Sequence, residues 1–172
     1  MEQTLIIFKP DAIQRGIVGE ILSRFEKAGL KIVAAKMVQP TQEHYYKHYE
    51  DIGKMISRRG KKAFDVTLKM MQQGPVIAMI LEGVEAISLV RKLVGTTEPK
   101  AAAPGTIRGD YAHMSFPYAD REGIGVPNLI HASGDANDAK LEIAHWFAQN
   151  EIYQYETVHE KFTQTRGKSK SR

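Results

Sequence analysis

In Asn128-Leu129-Ile130-His131-Ala132-Ser133 a short apolar run leads into a lone histidine, and Ser133, Gly134 and Asp135 are residue types that open a helix. Leu129 and Ile130 read as the end of a buried strand, which puts His131 at a strand end facing a cleft. Strand ends suit reactive groups because the sheet fixes the backbone while the following loop leaves room for a ligand. Position alone favours a plainer alternative, a hydrogen-bonded core histidine, since histidine is of intermediate burial and six occur in this chain. A second group is cationic: Lys9 follows an apolar run, Arg91 lies on a helical segment, and Arg108 lies in a stretch without periodicity. Arginine forks match phosphate oxygens and lysine supplies a compact charge, so polyphosphate is a natural target for such a set. Each cation taken singly reads as a solvated surface charge.

The common phosphate loops are missing. Gly167-Lys168-Ser169 would need a glycine where Phe162 stands, and Gly123-Ile124-Gly125 lacks the third glycine of a dinucleotide fingerprint. Neither a His-Glu-x-x-His motif nor a carboxylate cluster appears, so any catalytic metal is expected to arrive with the substrate. The absence of cysteine excludes a disulfide framework, a thiolate zinc site and a cysteine nucleophile.

At 172 residues, 42% hydrophobic and 26% charged, the chain matches one globular domain with a full core. No apolar run is long enough to span a membrane and Met1 to Phe8 is no leader, so a soluble cytoplasmic protein is expected. The net charge of +4 sits at one end: residues 161–172 hold Lys161, Arg166, Lys168, Lys170 and Arg172 without an acid, and the remainder carries −1. The expected organisation is one domain over 1–160 and a basic, solvated tail over 161–172, with only weak reason to expect nucleic-acid binding.

Several elements must position the reactive residues. Leu5-Ile6-Ile7-Phe8 reads as a central strand covered on both faces, ending at Pro10. Ile17 to Ala28 has helical spacing and stops at Gly29, Lys31 to Val38 reads as a strand, and Thr41 opens a helix carrying His44, Tyr45, His48 and Tyr49. A charged break over Ser57–Lys62 leads to a helical segment over Ala63–Gln73, the two helices forming a hairpin. Val76 to Leu81 is a strand and Val84 to Val94 a helix. Periodicity then disappears from Gly95 to Pro127, a length usually associated with function. After His131, Asp135 is a fitting N-cap for a helix with Ala139, Ile143, Trp146 and Phe147 on its core face. The order predicts a split β-α-β, ferredoxin-like α+β fold, βαββαβ: a four-stranded antiparallel sheet with helices on one face, a helical-hairpin insertion, and a long loop before the strand bearing His131.

Lys9-Pro10-Asp11, Arg15-Gly16, Gly74-Pro75-Val76, Gly95-x-Thr97-x-Pro99, Pro104-Gly105-Thr106-Ile107-Arg108-Gly109-Asp110 and Asn128-x-x-His131-x-Ser133 follow one another along the chain, with Glu142 eleven residues beyond the histidine. Through these pieces the chain resembles the nucleoside diphosphate kinases from Thr4 to about Phe147. Each piece alone is weak, and in this order the set is specific. It implies a Mg2+-dependent, ping-pong transfer of the γ-phosphate of a nucleoside triphosphate to a nucleoside diphosphate through phosphorylated His131, with little choice of base or sugar. Glu142 would support the histidine, with Lys9, Tyr49, Asn128 and Ser133 completing the catalytic set. Lys9, Arg91, Thr97, Arg108 and Asn128 match positions that bind phosphates and sugar, and Phe64 and Leu68, four apart on the hairpin, would clamp the base. The metal would be held mainly by substrate phosphates. A homo-oligomer, a hexamer or else a tetramer or dimer, is expected. A non-enzymatic nucleotide or nucleic-acid binding protein on the same fold is the alternative.

The chain departs from the family pattern in three places. Counting back from Gly74-Pro75, the family's aromatic position falls on Ala63, one residue before Phe64. An insertion over about His113–Gly125 carries Phe116, Pro117 and Tyr118. Ala132-Ser133-Gly134 replaces Gly-Ser-Asp after the histidine, and Asp135 can supply the missing helix-start acid.

Overall fold

The computed structural model describes residues 1–163. Strands β1 (Glu2–Phe8), β2 (Lys31–Val38), β3 (Val76–Gly83) and β4 (Ile130–Ala132) form one sheet in the order β2-β3-β1-β4. Every neighbouring pair is antiparallel, and His131 lies opposite Ile7 of β1. The ferredoxin-like topology therefore holds.

The helices of the split β-α-β arrangement keep to one face, and the hairpin and the closing helix take the other. Because side chains alternate along a strand, Leu5 and Ile7 point one way and Ile6 and Phe8 the other, and all four are fully buried. Ile6 and Phe8 pack with Ile21 and Phe25 of α2 (Val18–Lys27), which follows the short α1 (Pro10–Gln14), and with Val90 and Val94 of α6 (Ala86–Val94). Leu5 and Ile7 pack with Tyr45 of α3 (Gln42–Tyr46), Phe64 and Met71 of α5 (Lys61–Met71), and Trp146 of α9 (Ala136–Trp146). The hairpin and the closing helix thus cover the face that a plain ferredoxin-like sheet leaves open. Each of these buried side chains contributes about 1.5–3 kcal/mol relative to exposure.

Local signals explain most boundaries. The Thr41 side chain accepts from the His44 amide and the Asp135 side chain from the Asp138 amide, as N-caps should. The expected break over Ser57–Lys62 is narrower than its charge suggests: α4 (Met55–Arg59) and α5 meet at Gly60, with φ +85°. The stretch Gly95–Pro127 contains a 3-10 turn at Pro99–Ala101, α7 (Ile107–Tyr111) and the inserted α8 (Phe116–Glu122). Thr106 and Ser115 cap the two helices.

Beyond α9, a 3-10 turn at Gln149–Glu151 and α10 (Glu160–Thr163) run beside β2. The Tyr153 amide donates to the Val33 carbonyl, the Tyr155 hydroxyl donates to Ile32, and Lys31 pairs with Glu82 and Glu160. Residues 161–163, expected to begin the tail, belong to α10, and the tail from residue 164 lies outside the described residues.

Candidate active site

Backbone geometry brings His131 to its place. Leu129 has φ +72° and the Ile130 amide donates to the Asn128 carbonyl at 2.8 Å, a tight γ-turn just before β4. A left-handed conformation at a leucine is costly, and it persists because its surroundings hold it. The Leu129 amide donates to Asp11 Oδ2, its carbonyl accepts from the Lys9 amide, and its side chain is fully buried.

One ring nitrogen of His131 is committed. Nε2 lies 2.9 Å from Glu142 Oε1, and the other carboxylate oxygen accepts from Ser133 Oγ at 2.6 Å. Ser133 Oγ also faces the Leu5 amide at 3.2 Å, which ties the carboxylate to β1. Glu142 lies on the buried stripe of α9 with Ala139 and Trp146. Burial would raise its pKa, but His131, His48 and the Ser133 hydroxyl outweigh that and hold it at about 2, so it is an anion at neutral pH. That anion fixes the proton of a neutral His131 on Nε2 and leaves Nδ1 with a lone pair. The His131 side chain is 21% exposed against 4% for Glu142, so the open side of the ring is the cleft side.

Sequence reasoning gave His48 no role beyond its helix. It lies on a π-helical turn, Lys47–Ile52, its ring edge-on to His131 with centroids 4.5 Å apart. Trp146 Nε1 donates to His48 Nδ1 at 3.2 Å, so the proton of His48 sits on Nε2. Burial first, and then the neighbouring His131, push its pKa well below the ordinary value and keep it neutral. The π turn also carries Tyr49 into the cleft, where its hydroxyl is buried without a partner among the described residues and its pKa is raised by burial. A turn with five-residue hydrogen bonds leaves no clear mark in sequence.

The cations form a connected group. Lys9 Nζ donates to Asn128 Oδ1 at 2.6 Å, and Asn128 Nδ2 donates to the Thr97 carbonyl at 2.8 Å. Burial, then Arg108, lower the Lys9 ammonium to about 8. Arg108 donates to the carbonyls of Asn128, Gly95 and Ile130, and burial followed by the charge of Arg91 lowers it to about 10. Gly95 has φ +85°, and a β-carbon there would meet Thr106 Oγ1 at 2.6 Å, so the turn that offers its carbonyl to Arg108 needs glycine. Arg91 and Thr97 line the same cleft from exposed positions, and its volume is about 440 Å³.

Phe64 and Leu68 do not line this cleft. Both are buried in the core against Tyr45, Met71 and Trp146, and the residues of α5 that face the cleft are Ala63, Val66, Thr67 and Met70. The i,i+4 pair marks one face of the helix, and the face with the larger apolar side chains went to the core. Ser133 also lies behind the cleft, touching it only through Glu142.

Among the described residues one group of His, Asp or Glu side chains is tight enough to consider for a metal: His48, His131 and Glu142. Its members are already engaged, His48 with Trp146, His131 with Glu142, and Glu142 with Ser133. What remains is an imidazole nitrogen facing a cleft lined by Lys9, Arg91 and Arg108, an arrangement suited to taking up a phosphoryl group from a polyanion.

Comparison with known proteins agrees with this geometry. The family model described as nucleoside diphosphate kinase matches residues 2–152. A nucleoside diphosphate kinase of Borreliella burgdorferi is 45% identical over 157 residues, covering 90% of this chain and 92% of that protein. One from Pyrococcus furiosus is also 45% identical, with 90% and 88% covered. A solved structure of the Borrelia burgdorferi enzyme, a transition state mimic with bound vanadate and ADP, superposes with a TM-score of 0.91 at 43% identity over 94% of this chain and 96% of that one. A Pyrobaculum aerophilum NDP kinase superposes at 0.80 with 40% identity over 89% and 99%. By sequence, topology and the arrangement around its histidine, this chain belongs to the nucleoside diphosphate kinase family.

Proposed function

We propose that this protein transfers the γ-phosphate of a nucleoside triphosphate to a nucleoside diphosphate in two in-line steps through a phosphohistidine at His131. The observation that carries this reading is the His131–Glu142 contact at 2.9 Å, which commits Nε2 and leaves Nδ1 as the attacking nitrogen. Nδ1 attacks the γ-phosphorus, the bond to the β–γ bridging oxygen breaks, and the diphosphate leaves. Glu142 stabilises the positive charge that develops on the ring as the N–P bond forms. In the second step a terminal oxygen of a bound diphosphate attacks the phosphorus, and Nδ1 recovers its lone pair. Lys9, Arg91 and Arg108 receive the phosphate charge, Thr97 and Asn128 the phosphates and sugar, and the Tyr49 hydroxyl is a donor at the histidine.

A nucleotide kinase works with a divalent cation, and Mg2+ suits this site. The cleft carboxylates Asp120, Asp135 and Asp138 form no cage and the one free imidazole nitrogen is the proposed nucleophile, so the ion would be held mainly through the substrate's phosphates. Bound there, it would supply positive charge against the β- and γ-phosphates. No described helix is long and apolar enough to cross a membrane, and the cytoplasm is the compartment we infer. We also infer a homo-oligomer, a hexamer or else a tetramer or dimer, to which exposed apolar side chains such as Met37 and Leu141 would contribute surface. A binding protein that transfers nothing would have no use for an oriented His131–Glu142 pair, so that alternative, nucleic-acid binding included, is not favoured.

The test is incubation with γ-labelled ATP. We expect an acid-labile, alkali-stable phosphoenzyme that added diphosphate discharges and that His131→Ala does not form. Transfer at the native rate by His131→Ala would refute the proposal.

A further inference from the structure

The cleft also shows where a base can lie. Four aromatic rings line it: His48, Tyr49, His131 and Phe116. His48 packs edge-on against both Tyr49, centroids 4.7 Å apart, and His131, 4.5 Å apart, so these three lie with the proposed phosphoryl chemistry. Phe116 stands apart, as the first residue of the inserted helix α8. From the hairpin side α5 offers Ala63, Val66 and Met70, and its own phenylalanine is committed to the core.

The insertion is docked firmly on the hairpin. The Arg59 guanidinium lies 3.7 Å from the Phe116 ring centroid, and Lys62 Nζ donates to the Asp120 carbonyl. Gly125 lies so close to α5 that a β-carbon there would meet the Val66 carbonyl at 2.8 Å and Met70 Cβ at 2.9 Å. The Phe116 amide donates to Glu98 Oε1 at 2.8 Å, which fixes the start of α8 against the loop bearing Thr97. A phenyl ring held in this way is preorganised and loses little freedom on binding a ligand.

We infer that Phe116 is the stacking platform for the nucleotide base, so that the insertion, and not α5, supplies the aromatic wall of this chain's cleft. A ring face that accepts a planar guanidinium at van der Waals distance accepts a planar heteroaromatic base in the same way. Arg59 is exposed and forms no ion pair among the described residues, so a base displaces it readily. Stacking is tolerant of base identity but grows with ring area, so purines gain more than pyrimidines.

The inference rests on the proposed nucleotide site, and equilibrium binding separates the two. Titration calorimetry in Mg2+ buffer compares ADP, CDP and inorganic tripolyphosphate on wild type, Phe116→Ala and Phe116→Trp. Phe116→Ala should weaken ADP about tenfold and CDP less, leave tripolyphosphate unchanged, and be rescued for ADP by Phe116→Trp. Unchanged ADP binding by Phe116→Ala would overturn the inference. So would equal loss of ADP and tripolyphosphate, which would mean that Phe116 only holds the roof of the cleft. A wild-type protein that forms no phosphoenzyme would instead refute the function itself, whatever Phe116 does.

Discussion

A histidine that acts as proposed for His131 needs one nitrogen protonated and the other bare. Here Glu142, held by Ser133 and by His131 itself, sets that choice. Glu142→Gln keeps the shape, but its amide can also donate to Nε2 and so admits the wrong tautomer. We expect kcat to fall by about 10²–10⁴-fold with KM little changed, measured by steady-state and single-turnover phosphorylation. Ser133→Ala removes a charged hydrogen bond and should cost about 1.5–3 kcal/mol of stability in denaturant titration. Glu142 is depressed, so its stabilisation is complete above its ordinary pKa of 4.5 and is lost as the pH falls through about 2. Lys9 behaves oppositely. Its folded pKa of about 8 lies below the unfolded 10.5, so the unfolded chain holds the extra proton between them, and the stability of the free protein rises with pH across that window. Over the same window kcat/KM should fall, because a neutral Lys9 no longer attracts phosphate. A pH profile of both quantities tests the pair. Residue type alone left His131 a core histidine and each cation a solvated charge, and it was the ordered set of motifs shared with the family that singled these residues out. His48 was not among them, since its hydrogen bond to Trp146 depends on a π turn that periodicity does not reveal.

The elements work by restraint. Arg108 ties three carbonyls from the Gly95 turn and the strand-end loop into one unit, and Gly95 makes that possible by leaving room for Thr106. Gly95→Ala meets both a positive φ and a 2.6 Å contact, so we expect a loss of about 1–3 kcal/mol, seen as a lower Tm, with a reduced kcat/KM as the Arg108 anchor shifts. The strands were legible because Leu5 to Phe8 and Val76 to Leu81 are too apolar for anything but a sheet centre. The helices α7 and α8 were not, being 5 and 7 residues long and thus too short for helical periodicity to show. Their caps, Thr106 and Ser115, were the available signal. Phe64 and Leu68 were misassigned for another reason: spacing tells which side chains share a face and says nothing about what that face meets.

At the scale of the whole molecule, the sheet is enclosed on both sides, and the site lies at the end of β4, above one of its covered faces. The family match ends at residue 152, and the arm that follows reaches β2 through Tyr153, Tyr155 and Glu160. Truncation after Ile152 should leave kcat unchanged and lower the Tm, because the arm touches none of the residues assigned to catalysis; calorimetry with an activity assay would check both. The arm's attachment lies where β2 slips register against β3 between Ile32 and Ala34. There the Val33 carbonyl turns outward to accept from Tyr153. The opposite edge, β4, is three residues long. A sheet with one edge occupied and the other cut short gives a foreign strand little to pair with. The same arm that adds stability therefore also protects solubility, and the truncated chain should associate edge to edge on concentration where the full chain does not.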